Sequence, residues 1–233
     1  MNQVQTDLEG GRFVNLLASL VLLFLLVPAL EGSELGGGVL DVFVSGSLLL
    51  TLHALRGRQR AFLWGVLLAL PAIAAAAGAH LFHSAILLSA GHGFGLLFFL
   101  LTGSTILKQV LEPGAGSRLQ AAVCGYLLLG LGWALVFSTL EHVSPGSFGD
   151  PLGTGAQNHA VLAGMPHLIY FSFTTLTTLG YGDVVPTSTL ARSLSTLEAV
   201  LGQLYLALLV ARLVGVRAAQ LAEDQREEGQ GAC

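Results

Sequence analysis

Apolar runs long enough to cross a membrane dominate this chain of 233 residues. They constrain the fold more than any other feature, because each run must be surrounded by protein or by lipid. Only 10% of the residues are charged and 53% are hydrophobic, with a mean hydropathy of +0.74. Soluble domains carry roughly 25% charged residues. About 20 apolar residues in a helix cross a hydrocarbon core of roughly 30 Å. Six candidate spans run from Phe13 to Leu30, Gly37 to Leu55, Ala61 to Ala79, Ser84 to Leu107, Leu119 to Leu140, and Thr189 to Val216. The period-two alternation of a membrane strand is missing. The expected fold class is therefore an all-α integral membrane protein with six transmembrane helices.

The net charge of −4 is spread over short loops and a tail and points to no partner. Of the two cysteines, Cys124 falls inside the fifth span and Cys233 is the final residue, so neither a disulfide framework nor a metal-ligand spacing is present. The first run follows Asp7 and Glu9 with a single Arg12, a poor basic lead for a cleaved signal peptide, and it is expected to be retained. Basic residues fix an orientation. Arg12, then Arg56, Arg58 and Arg60, then Lys108 and Arg118, then Arg212 and Arg217 fall in every second segment between spans, hence all on one side. The intervening segments "EGSELGGG" and "GAHLFHS" have no Lys or Arg. Excess Lys and Arg mark the cytoplasmic side. Both termini are thus expected in the cytoplasm of a multi-pass cell-membrane protein, with the segment from Glu141 to Thr187 outside. Arg192 alone runs against this pattern.

That outer segment begins as a Gly/Pro/Ser-rich stretch and then turns apolar and aromatic in "MPHLIYFSFTTLTTL". A dozen apolar residues are too few to span a bilayer and read as re-entrant or buried. Pro166 suits a first helical turn, where its missing N–H costs nothing. The helix should end near Thr177, and the chain then runs through Gly180-Tyr181-Gly182. Non-helical backbone at membrane depth survives only where protein buries it or water lines it. A pore or cavity follows.

Thr178-Leu179-Gly180-Tyr181-Gly182-Asp183 resembles the selectivity filter of the potassium channel superfamily, usually Thr-Val-Gly-Tyr-Gly. The resemblance covers about Arg118 to Arg217 and includes its setting: span, outer turret, short pore helix, filter loop, span. It implies that the carbonyls of Thr178, Leu179, Gly180 and Tyr181, with the Thr178 hydroxyl, ligate permeant K⁺, and that Gly180 and Gly182 permit the required backbone. It further implies that Asp183 ties the outer filter to the pore helix, with Tyr170 supplying the donor that is often a Trp in the family. Phe171 would pack in the aromatic cuff around the filter. Leu179 replaces the commoner Val, which leaves the carbonyl in place and puts filter stability in question. Thr174 stands where some members carry an acid, so slow filter closure that depends on that acid is not carried over. One filter per chain implies a homotetramer. Gly202 is a gating-hinge candidate or a packing glycine. Glu198 is a functional candidate by its place in an apolar span, with a hydrogen bond to the back of the filter or pore helix as the plainer role.

Four spans before a pore module resemble voltage-gated channels, whose fourth helix carries regularly spaced arginines. The fourth span here has none. Without gating charge a voltage change does no work on the helix, so strong voltage gating is not expected. The organisation is then a four-helix bundle at 1–107, a cytoplasmic linker at 108–117, a pore domain at 118–217 and a short cytoplasmic tail at 218–233, read as frayed. Asp41 reads as a scaffold hydrogen-bonding group. His80 and His83 form a candidate pH-sensing or metal-binding pair that lacks a third ligand, and His92 reads as a packing residue between Gly91 and Gly93. No cofactor, nucleic acid or soluble ligand-binding domain is expected, and no nucleophile motif suggests an enzyme. The function expected is passive K⁺-selective conduction. A non-selective cation channel, a K⁺ transporter and an accessory subunit are the alternatives.

Overall fold

The computed structural model describes residues 14–22, 46, 59–82, 85–111, 118–149 and 165–231. All of the expected second span but Gly46, residues 23–30 of the first, Asp41 and His83 lie outside these residues, and His80 is described only as part of a helix. The elements are α1 (14–22), α2 (Gln59–Phe82), α3 (Ala85–Leu111), α4 (Arg118–Val143), β1 (Phe148–Gly149), α5 (Met165–Leu176), β2 (Val185–Pro186) and α6 (Thr189–Gly231).

Sequential helices pack on one another: α2 on α3, α3 on α4, α4 on α5, and α5 on α6, with α6 also touching α4. Small residues let α3 and α4 approach closely. A Cβ at Gly95 would meet Leu135 at 3.3 Å, and one at Gly132 would meet Phe99 at 3.3 Å. Leu16, Leu20, Phe98, Leu128 and Leu131 fill one core, to which α1 contributes. Buried hydroxyls on α3 bond back along their own helix, Thr102 to Phe98 O and Thr105 to Leu101 O, so they leave no unsatisfied donor.

Among the described residues, Gln120–Val143 and Thr189–Gly215 are long and apolar enough to cross a membrane. At about 1.5 Å per residue, the 24 residues of the first rise about 36 Å. They differ in what surrounds them. Inside the single chain 67% of the first segment is buried, against 11% of the second. The 12 residues of α5 rise only about 18 Å.

α6 does not stop at the membrane-length segment but continues as helix to Gly231, where a frayed tail was expected from about residue 218. Apart from Asp224, Ala, Gln, Glu, Leu and Arg fill this stretch, all good helix formers, and no Gly or Pro falls between Arg217 and Glu228.

Candidate functional site

α5 ends at Leu176, and the chain leaves it by a tight reversal. Thr177 N still donates to Phe173 O, and Thr178 N donates to Thr175 O at 3.0 Å. Then the Thr174 carbonyl accepts twice, from Leu179 N at 2.8 Å and from Gly180 N at 3.1 Å. These bonds use helix-end carbonyls that have no partner within the helix. They also orient the loop. Every peptide here is trans, and in a planar trans peptide the N–H and C=O point in opposite directions. The carbonyls of Thr178 and Leu179 share their peptide units with those two amides. They therefore face away from α5.

The backbone dihedrals continue the pattern. Thr178, Gly180 and Gly182 have φ of 60°, 56° and 79°, alternating with residues of negative φ. Glycine enters this region without steric cost. Thr178 does not, since a β-branched residue at positive φ is an outlier. It is also the one non-glycine residue with positive φ among those described. The sequence marks the two glycines and hides this third position. Leu179 and Tyr181 project outward from the chain, 55% and 67% exposed.

Side chains brace the loop from behind and above. Tyr170 Oη donates to Asp183 Oδ2 at 2.7 Å, across 13 residues, and Val184 N donates to Asp183 Oδ1 at 3.0 Å. Desolvation first, then the hydrogen bond to Asp183 and its charge, push the Tyr170 phenol from its ordinary 10.0 up to about 12. Tyr170 therefore remains the donor at neutral pH. Phe171 closes a triangle of edge-packed rings with Phe137 and Phe148, centroids 5.1 to 5.3 Å apart, and Val184 packs on the same cluster. The Thr174 hydroxyl bonds back to Phe171 O within the helix, so its contribution to the loop is made by its carbonyl.

The outer edge has a clasp that sequence reading missed. Glu141, buried at the end of α4, accepts from Gly146 N at 2.6 Å and from Phe148 N at 3.0 Å, one on each carboxylate oxygen. This fixes the turn before β1, which pairs antiparallel with β2 just after the loop. Thr187 N donates to Ser147 O at 2.8 Å, and Ser188 Oγ caps α6 by accepting from Ala191 N at 3.2 Å. An acid at the end of an apolar helix, just before Pro and Gly, was the available sign.

Behind α5, Gly202 and Glu198 face it from α6. A Cβ at Gly202 would lie 2.6 Å from Leu176 O, so the glycine is where two backbones touch. Glu198 is fully buried and lies 2.5 Å from Ser172 Oγ. From α4, Tyr126 Oη donates to Leu176 O at 3.1 Å, and a Cβ on Gly130 would overlap the Phe173 ring at 2.4 Å. Apart from this assembly, His92 meets His142 edge to face with centroids 5.6 Å apart. Among the described residues no group of three His, Cys, Asp or Glu could hold a metal ion.

Residues 156–217 match the ion-channel family model. The matched segment takes in α5, the loop, β2 and α6 as far as Arg217. It supports an ion channel, and with the two long apolar helices it supports a membrane protein. A channel passes its substrate unchanged, so the match speaks for transport rather than catalysis. Comparison with curated proteins and with solved structures gave no match.

Proposed function

We infer that four copies of this chain form a passive K⁺-selective channel of the potassium channel superfamily, with residues 178–182 as its selectivity filter. The observation that carries this reading is the backbone of that loop. Left-handed φ at Thr178, Gly180 and Gly182, together with amides of Leu179 and Gly180 turned into Thr174 O, is the arrangement that sets successive carbonyls on one side. A row of such carbonyls replaces the hydration shell of a dehydrated cation. Thr178, Leu179, Gly180 and Tyr181 are the proposed K⁺ ligands, and Asp183, Tyr170, Phe171 and Thr174 support them. K⁺ is the permeant ion, and no cofactor takes part.

One such row cannot enclose an ion, and a closed cyclic assembly supplies the others. The sparse burial of α6 inside one chain supports this reading, as does the apolar surface of Leu197, Val200, Leu201, Leu204 and Leu208. In the assembly α6 meets neighbouring copies, and the rest of the apolar surface meets lipid. The remaining spans form a bundle without gating arginines, so conduction does not depend strongly on voltage. α5 and the loop form a re-entrant unit between the fifth and sixth of six spans, with both termini cytoplasmic.

The second reading is a cation channel of relaxed selectivity; Leu179 in the usual Val position keeps the carbonyl and so does not by itself relax selectivity. A planar bilayer holding purified protein, with unequal K⁺ on the two sides and Na⁺ making up the difference, separates the two. The K⁺-selective reading predicts a reversal potential that follows the K⁺ ratio by about 59 mV per tenfold change. A reversal near zero in that mixture contradicts it.

A further inference from the structure

Ser172 Oγ lies 2.5 Å from Glu198 Oε1 and 2.7 Å from Gly130 O. A hydroxyl has one proton to donate, and a backbone carbonyl has none. Both contacts are hydrogen bonds only if a second proton is present, and the carboxyl of Glu198 is the group that can carry it. Ser172 then donates to Gly130 O on α4, and Glu198 on α6 donates to Ser172 on α5. The surroundings agree. Ser172 and Glu198 are both fully buried, and Glu198 Oε2 has no hydrogen-bond partner. An ionised carboxylate in that place would keep one oxygen unsatisfied in an apolar setting, which burial penalises heavily. A neutral acid with its hydroxyl bonded to Ser172 leaves only a carbonyl oxygen unpaired.

The chain of two bonds joins three helices at one level, and the next turn repeats the contact. Ser172 and Leu176 are four apart on α5, and Glu198 and Gly202 are four apart on α6, so each pair shares a helix face. Leu176 O is where the Gly202 backbone comes closest and where Tyr126 Oη donates from α4. Between these two levels on α5 lies Thr174, whose carbonyl holds the amides of Leu179 and Gly180. A displacement of α6 therefore reaches the loop through Ser172 and Leu176 rather than through loose side chains.

We propose that Glu198 is a positioning residue that carries a proton, donates it in a hydrogen bond to Ser172, and so couples the position of α6 to the loop at 178–182. This rests on the channel reading for its functional half, whereas the proton half does not.

The test uses the full-length protein in liposomes, with Glu198→Gln, Glu198→Val, Ser172→Ala and the Glu198→Val/Ser172→Ala double variant. Infrared difference spectra of wild type against E198Q should contain the carbonyl stretch of a protonated carboxylic acid at neutral pH. Its absence overturns the proton assignment, whether or not the protein conducts. In single-channel recordings E198Q, whose amide donates as the acid does, should keep the wild-type open probability. Glu198→Val and Ser172→Ala should each lower it about tenfold, the equivalent of one lost hydrogen bond to a buried group. The double variant should fall no further than either single change, because both remove the same link. Wild-type open probability in Ser172→Ala overturns the coupling, even if Glu198→Val fails to assemble. A wild-type protein that carries no current fails the channel reading instead, and the infrared result still decides where the proton is.

Discussion

Among the described residues, Thr178 bears the clearest backbone strain. A β-branched residue at φ 60° costs of the order of 1–3 kcal/mol, and it persists only when its surroundings over-determine it. The amide bonds on either side to Thr175 O and Thr174 O supply that constraint. Two neighbouring glycines test different terms. A Cβ at Gly180 meets nothing within 4 Å, so Gly180→Ala costs only its left-handed backbone, about 1–2 kcal/mol. Gly202→Ala instead drives a Cβ to 2.6 Å from Leu176 O, and since backbone does not yield as a side chain does, α5 and α6 must separate. Thermal melts of the purified variants should place Gly202→Ala well below Gly180→Ala. The reverse order would mean that α6 does not press on α5 as described. At the outer end, Tyr170→Phe removes the donor to Asp183 and should cost about 1 kcal/mol at this half-exposed pair. Tyr170→Trp keeps a ring donor and should restore most of the loss. The readout is the decay of current during long openings, faster in the Phe variant; equal decay in all three would show that the tether is slack. Because the folded phenol lies above its ordinary value, its contribution is complete below pH 10 and is lost as pH rises through about 12.

Among the elements, the short outer ribbon depends on one carboxylate. Glu141→Ala leaves the amides of Gly146 and Phe148 without acceptors, at about 1–3 kcal/mol for the buried Phe148 donor and less for the half-buried Gly146. Hydrogen exchange should quicken at residues 146–148 and at Thr187, which bonds to Ser147, while α4 below Glu141 stays protected. Exchange that is unchanged there would show that the aromatic triangle of Phe137, Phe148 and Phe171 holds the ribbon by itself. These elements were unequally legible. α4, α5 and the first part of α6 follow from apolar length and from Pro166 in the first turn, properties local to each segment. The two glycines of the loop were legible for the same reason, since backbone freedom belongs to the residue. The left-handed Thr178 was hidden, because α5 imposes it through Thr174 O from four residues back. A bond from Glu198 to α5 was expected, but its partner Ser172, 26 residues away, was hidden, as was Gly130 against Phe173, because pairings between helices depend on a packing register that no single stretch encodes. The continuation of α6 to Gly231 was missed by weighing polarity over helix propensity.

At the scale of the whole molecule, α4 and α6 differ in how much of each the chain itself covers. Only 11% of the membrane-length part of α6 is buried within its own chain, and the proposed copies around an axis would cover part of what is left open. The assembled protein in mild detergent should therefore run at four times the 24.2 kDa of one chain. If K⁺ binds between the copies, mass action stabilises the assembly, by about 2.7 kcal/mol at a concentration one hundred times the dissociation constant. The dissociation temperature should accordingly be higher in K⁺ than in an equal concentration of Na⁺. Equal temperatures would leave the carbonyl row without its ligand.

The most direct test of the central claim is a density map of the assembled protein in Rb⁺ or Tl⁺, electron-rich cations of the same charge as K⁺. Four chains should surround one axis, with ions on that axis level with the carbonyls of Thr178, Leu179, Gly180 and Tyr181. Chains arranged without that axis, or an axis empty of ions between Thr178 and Tyr181, would contradict it.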